Sequence, residues 1–344
     1  MATFALLSWP VFALIIFANR AIVPAILTAT VVPYLFLPEA FSIEFQGVPD
    51  LNKTVVISLG LLIGLAFFGN RARTAAELPS LKTESSMFGF ALFTLLGTIA
   101  IGTVLTVLNN REWLVFGQSV LPALRPWDVV GRLFDLTLFF VPFILARKYL
   151  AMPNSHRSLL KVFVFYAMGY SLLMLIEIRF SPQLHNWTYG YFQHSFLQHI
   201  RDGYRPIVFL KHGIWVGFFI FMALIGAVGL LQAERNSKWL WAGGWIFVIL
   251  MISKNLGAFA IGLICLAAAF GLTRKMQIWF VVAIAVVTLT YPLLRHAQLI
   301  PTDQIMTGVA SVSDDRAGSL GFRLYHEDQL LKRALQKPLT GWGS

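Results

Sequence analysis

The 344 residues are 57% hydrophobic and only 12% charged, with a mean hydropathy of +0.71, whereas a soluble domain carries roughly 25% charged residues. That balance excludes an ordinary soluble domain and implies a polytopic membrane protein whose helices face lipid. The net charge of +11 is not read as nucleic-acid affinity, because in such a chain it must first be divided between the two sides of a bilayer.

A spanning helix needs about 20 largely apolar residues. Ten runs approach that length: Phe4 to Ala18, Ala21 to Leu37, Thr54 to Gly69, Met87 to Leu108, Val129 to Ala146, Leu159 to Ile178, Ile207 to Leu231, Trp239 to Ile252, Leu256 to Leu272 and Ile278 to Leu294. The expected fold class is all-α: a helical membrane domain over 1–294 and an amphipathic extracytoplasmic loop over 295–344. The first run has no basic leader and no small-residue cleavage site, so it reads as a retained helix. Cys265, the single cysteine, lies in an apolar run. It excludes an internal disulfide and a cysteine-based metal site, and reads as a small buried hydrophobe.

Short-loop cations orient the chain. Arg20, then Arg71, Arg73 and Lys82, then Arg147, Lys148 and Arg157, then Arg235 and Lys238, then Arg274 and Lys275 alternate correctly for the cytoplasmic side. The outer side then holds the segment from Glu39 to Asp50, that from Asn109 to Trp127, that from Arg179 to Arg205, the turn Ser253-Lys254-Asn255 and the tail from Arg295. It also keeps Arg179, Arg201, Arg205, Lys254, Arg295, Arg316, Arg323, Lys332, Arg333 and Lys337. Cations held on the disfavoured side imply a use there, on an anionic ligand.

The chain is organised around Arg201 to His212, which runs into the seventh apolar segment. Lys211 and His212 are expected inside the start of that span, where an ionisable group is costly and marks a functional site by default. Arg201, Arg205, Lys211 and His212 are expected to converge on one anion, and a phosphate or diphosphate suits arginine. The competing reading is that Lys211 snorkels and the arginines meet lipid headgroups. Asp202 is expected to pair with Arg201 or Arg205. Lys254, in a turn too short to rise far above the bilayer, either reaches the same anion or snorkels. Trp187, Tyr189, Tyr191 and Phe192 are dense enough either to stack on sugar rings or to lie in the interface.

Six histidines, His185, His194, His199, His212, His296 and His326, fall on the outer side, and His156 on the other. No pair has a close helical ligand spacing with a carboxylate between, and His194 and His199 are five apart. A metal is therefore not expected, and interfacial or hydrogen-bonded histidines are. Ser319 to Ala334 reads as an amphipathic helix on which Arg323, His326 and Glu327 share a face, stopped by Pro338. No phosphate-binding loop, dinucleotide fingerprint, nucleophile elbow or internal repeat is present.

At this tail the chain resembles a family. Gly321-Phe322-Arg323-Leu324-Tyr325-His326, Leu331-Lys332-Arg333-Ala334 and Lys337-Pro338-Leu339-Thr340-Gly341-Trp342-Gly343 resemble the loop of the O-antigen ligase and O-antigen polymerase family, where an Arg-Leu pair leads a helix ending in a Pro-Leu-x-Gly-x-Gly turn. Tyr204-Arg205-Pro206 with His212-Gly213 is similar to that family's arginine at the entry to a central span. Ser253-Lys254-Asn255-Leu256-Gly257-Ala258 is similar to its Ser-Arg-Gly-Ala entry, with lysine for arginine. Pro38 to Lys53 is similar to its early outer loop.

The resemblance implies a bacterial inner-membrane glycosyltransferase of O-antigen or exopolysaccharide biosynthesis, with its site facing the periplasm. The donor would be a glycan on undecaprenyl diphosphate, and the acceptor a glycan or lipid-core hydroxyl. Neither metal, nucleotide nor other cofactor is implied. Membrane lipid and polysaccharide assembly proteins are the further partners, and nucleic acid is not one. Carried over, Arg205 and Lys254 bind the diphosphate, Lys211 and Arg323 assist, and His212 or His326 positions or deprotonates the acceptor. The family continues beyond its Gly-x-Gly turn with a His-Asn or His-Ser motif and further spans, whereas this sequence stops at Ser344. A transporter or flippase for an anionic lipid-linked or small solute is the alternative, although transporters put charge nearer the midplane. A non-catalytic subunit of a polysaccharide export complex is a third.

Overall fold

In a computed structural model of the chain, the described residues are 1–45, 48–69, 86–116, 119–200, 203–311, 314–338 and 340–342. Arg71, Arg73, Lys82, Arg201, Asp202, Leu339 and Gly343, singled out above, lie outside them.

The described residues form thirteen α-helices and two short hairpins. In chain order these are α1 (Ala2–Asn19), α2 (Ile22–Phe36), β1 (Ser42–Phe45), β2 (Val48–Asn52), α3 (Lys53–Phe68), α4 (Ser86–Asn109), β3 (Leu114–Phe116), β4 (Ser119–Leu121), α5 (Pro126–Tyr149), α6 (Pro153–Phe180), α7 (Leu184–Tyr189), α8 (Gly213–Glu234), α9 (Ser237–Ile252), α10 (Leu256–Gly271), α11 (Arg274–His296), α12 (Thr302–Ala310) and α13 (Asp314–Ala334). Each of the ten apolar runs has a helix. Six are long and apolar enough to cross a membrane, namely α1, α4, α5, α6, α8 and α11. The other four, α2, α3, α9 and α10, have 15 or 16 residues and so rise about 22–24 Å, short of the ~30 Å hydrocarbon core.

The chain divides into two compact units, one of residues 1–86 with 131–270, the other of 87–130 with 271–344. This division follows packing and differs from a boundary at residue 294.

The first unit has two apolar cores. One joins α1, α2, α3 and α5 through Leu6, Phe17, Ala25, Leu61 and Val141. The other joins α2, α6, α8 and α9 through Leu35, Tyr170, Met174, Phe219 and Ile246. Helices α6 and α8 run antiparallel. Near the start of α6, Lys161 pairs with Glu234 at the end of α8 at 2.6 Å. Near the other end of α6 lies the buried Glu177.

Glu177 corrects the expected start of the seventh span. The helix begins at Gly213, not Ile207, so Lys211 and His212 precede it, and His212 is its N-cap. Pro206 has no N–H to donate and disfavours a helical residue before it. Ile207 to Leu210 are buried but not helical, with Val208 at φ +53, a region that β-branched residues rarely enter. Buried irregular backbone survives only when its polar groups are satisfied. Here Glu177 Oε2 accepts the N–H groups of Ile207 at 2.8 Å and Val208 at 2.7 Å, while its Oε1 accepts that of Leu184 at 3.0 Å. Tyr170 Oη accepts the N–H of Phe209. Gln193 Nε2 donates to the carbonyls of Val208 and Leu210. Apolar residues therefore fill this stretch without making it a helix.

In the second unit, α13 begins at Asp314, five residues before the expected Ser319. Its acidic residues face α11: Tyr291 Oη donates to Glu327 at 3.0 Å, and the buried Arg295 donates to Asp328 at 2.6 Å. The turn after α13 is latched to the end of α4. Thr106 Oγ1 donates to the Thr340 carbonyl, Asn110 Nδ2 to that of Gly341, and Lys337 Nζ to the Asn109 carbonyl and Asn110 Oδ1. The Trp342 ring lies under both Arg333 and Lys337.

Candidate functional site

The site is built on the first unit, at the N-terminal end of α8. Three segments meet there, the last of them distant in sequence from the others: residues 194–200 with 203–205, the entry to α8 at His212 and Gly213, and the α9–α10 turn Ser253-Lys254-Asn255. The first is closed by an isolated bridge between Ile200 and Tyr204 and by the Arg205 N–H donating to the His199 carbonyl at 2.9 Å.

Two glycines on one face of α8 admit the other segments. A Cβ on Gly213 would sit 2.7 Å from Arg205 Nε, and one on Gly217 would sit 2.9 Å from Asn255 Cβ. This is a small-xxx-small approach of the kind that lets helices meet closely. Arg205 uses it to reach Asn255: its Nε donates to Oδ1 at 2.7 Å, and a terminal guanidinium nitrogen donates to the same oxygen. Asn255 is buried and donates in turn to the Ser253 carbonyl at 3.3 Å and hydroxyl at 3.1 Å. Lys254 takes the left-handed conformation, φ +58. Its ammonium lies over Gly203, where a Cβ would be 2.6 Å from Nζ.

Arg205 and Lys254, the two expected diphosphate ligands, therefore lie on one patch although 49 residues apart in sequence. Lys211 is exposed and makes no hydrogen bond or ion pair among the described residues. Arg323 and His326 belong to the second unit, on α13, both exposed, with His326 packed against Phe322 and Tyr325. The expected pairing of Asp202 lies outside the described residues.

His212 caps α8 by accepting the Ile214 N–H on Nδ1 at 3.0 Å. Its ring meets two others, and the centroids of His194, His199 and His212 stand 4.7, 4.8 and 5.3 Å apart. His199 Nε2 and His194 Nδ1 are 3.3 Å apart. His199 is fully buried, and its Nδ1 has no hydrogen-bond partner among the described residues, a condition that costs about 1–3 kcal/mol. Burial, then the neighbouring His212, Arg205 and His194, lower the His199 pKa to about 3. The ring is held neutral at physiological pH. Sequence spacing missed this trio because its members come from a loop, a single 3₁₀ turn (Phe196–His199) and a helix cap, none of which has the periodicity of a helical ligand pair.

The aromatic loop serves structure in part. Tyr189 Oη donates to the Phe36 carbonyl at 2.6 Å and Tyr191 Oη to that of Glu39 at 2.7 Å. His185 accepts the Glu39 N–H on Nε2 and contacts the Tyr191 carbonyl through Nδ1. Glu39 in turn pairs with the buried Lys53 at 2.8 Å. Trp187 and Phe192 remain exposed.

No protein-family model, curated protein or solved structure matches the chain. What the site can do rests on its own chemistry: a fixed guanidinium and an ammonium on one patch, with the neutral imidazole of His199 and two further histidines beside them.

Proposed function

We propose that the chain is a bacterial inner-membrane glycosyltransferase that polymerises or ligates glycans carried on undecaprenyl diphosphate, with all ten apolar helices embedded and the α8 entry facing the periplasm. The observation that carries this reading is the placement of Arg205 and Lys254 on one patch, with Arg205 oriented by Asn255. In the reaction, an acceptor hydroxyl oxygen bonds the anomeric carbon as the bond from that carbon to the diphosphate oxygen breaks. Negative charge grows on the leaving diphosphate, and fixed cations aimed at it lower the barrier. Arg205 supplies directed N–H groups and Lys254 a mobile point charge. Lys211, exposed one residue before the cap, supplements them. His212, the cap residue of α8, is the candidate to take the acceptor proton in the metal-free protein.

The test is transfer of a lipid-linked oligosaccharide by purified protein in liposomes. Wild type is expected to extend or transfer the glycan. Arg205→Ala, shown to be folded, is expected to lose about 10²-fold in rate. An inert wild type overturns the reading.

One observation favours a transporter for an anionic lipid-linked solute instead. The buried non-helical stretch from Ile207 to Leu210 leads directly into the N-terminus of α8, and broken helices of this kind bind substrate in transporters. Uptake or flipping of the lipid-linked glycan without transfer would select that reading.

A further inference from the structure

We propose that His194, His199 and His212 form a binding site for one divalent transition-metal ion of the zinc class. One ligating nitrogen from each ring lies within 4.8 Å of the other two. Every pair of rings is in contact, so the three converge on a point and do not form a chain. A tetrahedral ion with nitrogen ligands at about 2.0–2.1 Å needs nitrogen–nitrogen edges of about 3.3–3.4 Å. The His194 Nδ1 to His199 Nε2 edge already measures 3.3 Å. Ring rotation within a cluster whose ligating nitrogens already lie inside 4.8 Å closes the other edges.

The donor set names the class of ion. Three imidazoles with no carboxylate among them suit zinc, cobalt, nickel or copper, and do not suit calcium or magnesium, which want oxygen. His212 enters through Nε2, because its Nδ1 accepts the Ile214 N–H. On metal binding the ring proton moves to Nδ1, so that capping bond must give way, and the first turn of α8 is coupled to the ion. Three protein ligands leave a fourth position for water or an anion.

This site does not depend on the glycosyltransferase reading, and its test needs no substrate. The full chain is purified in detergent without a histidine tag, stripped with chelator and titrated with zinc. Elemental analysis and a competing dye then give stoichiometry and affinity. One equivalent of zinc is expected, with cobalt substitution giving the intense visible absorption of a tetrahedral site and X-ray absorption giving nitrogen neighbours at about 2.0–2.1 Å. His194→Ala, at a half-buried loop position, is expected to weaken binding by at least the ~10–100-fold that losing an outer-shell partner costs. His296→Ala and His326→Ala are expected to bind as wild type does. Absence of a retained equivalent in the wild type, equal affinity in His194→Ala, or an octahedral cobalt spectrum would each overturn the proposal, and the wild-type measurements decide it even if a variant fails to fold.

Discussion

The Arg205 guanidinium donates from two nitrogens to the single side-chain oxygen of Asn255, across fifty residues of sequence. Asn255→Ala removes that acceptor and also the bonds to Ser253. A charge-assisted bond of this kind is worth about 1.5–3 kcal/mol. Thermal unfolding in detergent is expected to show a loss of that order, together with loss of transfer activity. A double-mutant cycle with Arg205→Ala should return a coupling of about 1–3 kcal/mol; strict additivity would mean that the contact does not hold the side chain.

The two glycines of α8 are expected to destabilise by different routes when given a side chain. In Gly213→Ala the new methyl meets the Arg205 side chain, which swings away from Asn255, so activity falls and stability drops by the about 1.5–3 kcal/mol of the lost contact. In Gly217→Ala the methyl meets Asn255 Cβ, which only backbone movement can shift. That variant should lose about 1–3 kcal/mol, the usual cost of overpacking. A double-mutant cycle of each with Arg205→Ala, read from melting curves, checks the difference: Gly213→Ala should add little to Arg205→Ala, and Gly217→Ala should add its own loss.

Glu177→Ala leaves three backbone N–H groups without their acceptor. At about 1–3 kcal/mol for each buried unmet donor, a destabilisation of about 3 kcal/mol or more is expected. Hydrogen exchange should speed up at Leu184, Ile207 and Val208 before it does in α6 or α8. Unchanged protection at Ile207 and Val208 would show that the carboxylate is not what holds the stretch.

His199 gives a pH signature. Its folded pKa is about 3 and its ordinary value 6.5, burial being the main cause and His212, Arg205 and His194 the others. Below pH 6.5 the unfolded chain binds a proton that the folded chain refuses. Stability of the metal-free protein therefore falls as pH drops from 6.5 towards 3, and has no such dependence above 6.5. His185, lowered mainly by burial, acts in the same direction. Unfolding midpoints of wild type and His199→Gln between pH 4 and 8 separate the two, and the variant should show the shallower slope.

In the second unit, Asn110→Ala removes the donor to the Gly341 carbonyl and one acceptor of Lys337. Each bond contributes about 0.5–1.5 kcal/mol, so the effect is local: limited proteolysis should cut near residue 338 faster than in wild type, with the unfolding of α11 and α13 little changed.

The ten apolar runs were legible because helix length and continuous hydrophobicity need no partner to be read. Their ends were less so. Ile207 to Leu210 is as apolar as a helix, and only Glu177, thirty residues away, Tyr170 and Gln193 make another backbone path possible. The pairing of Tyr189 and Tyr191 with Phe36 and Glu39 was hidden for the same reason: composition cannot tell an aromatic ring that faces lipid from one whose hydroxyl holds a distant carbonyl. Arg205 and Lys254 stood out as cations at apolar borders, but their common patch depends on Gly213 and Gly217, which carry no charge signal. The histidine trio needed three irregular segments to be placed before it existed at all.

The two ends of the α6–α8 pair have a mechanical consequence. Lys161 ties the start of α6 to Glu234, and Glu177 ties its far end to the approach to α8. One helix sliding past the other by a single turn, about 5.4 Å, would break both ties together. The buried Glu177 bonds are the costly ones to break, since the half-exposed Lys161–Glu234 pair contributes only about 0–1 kcal/mol, so a slide of α6 past α8 is resisted chiefly at the end where the functional site lies.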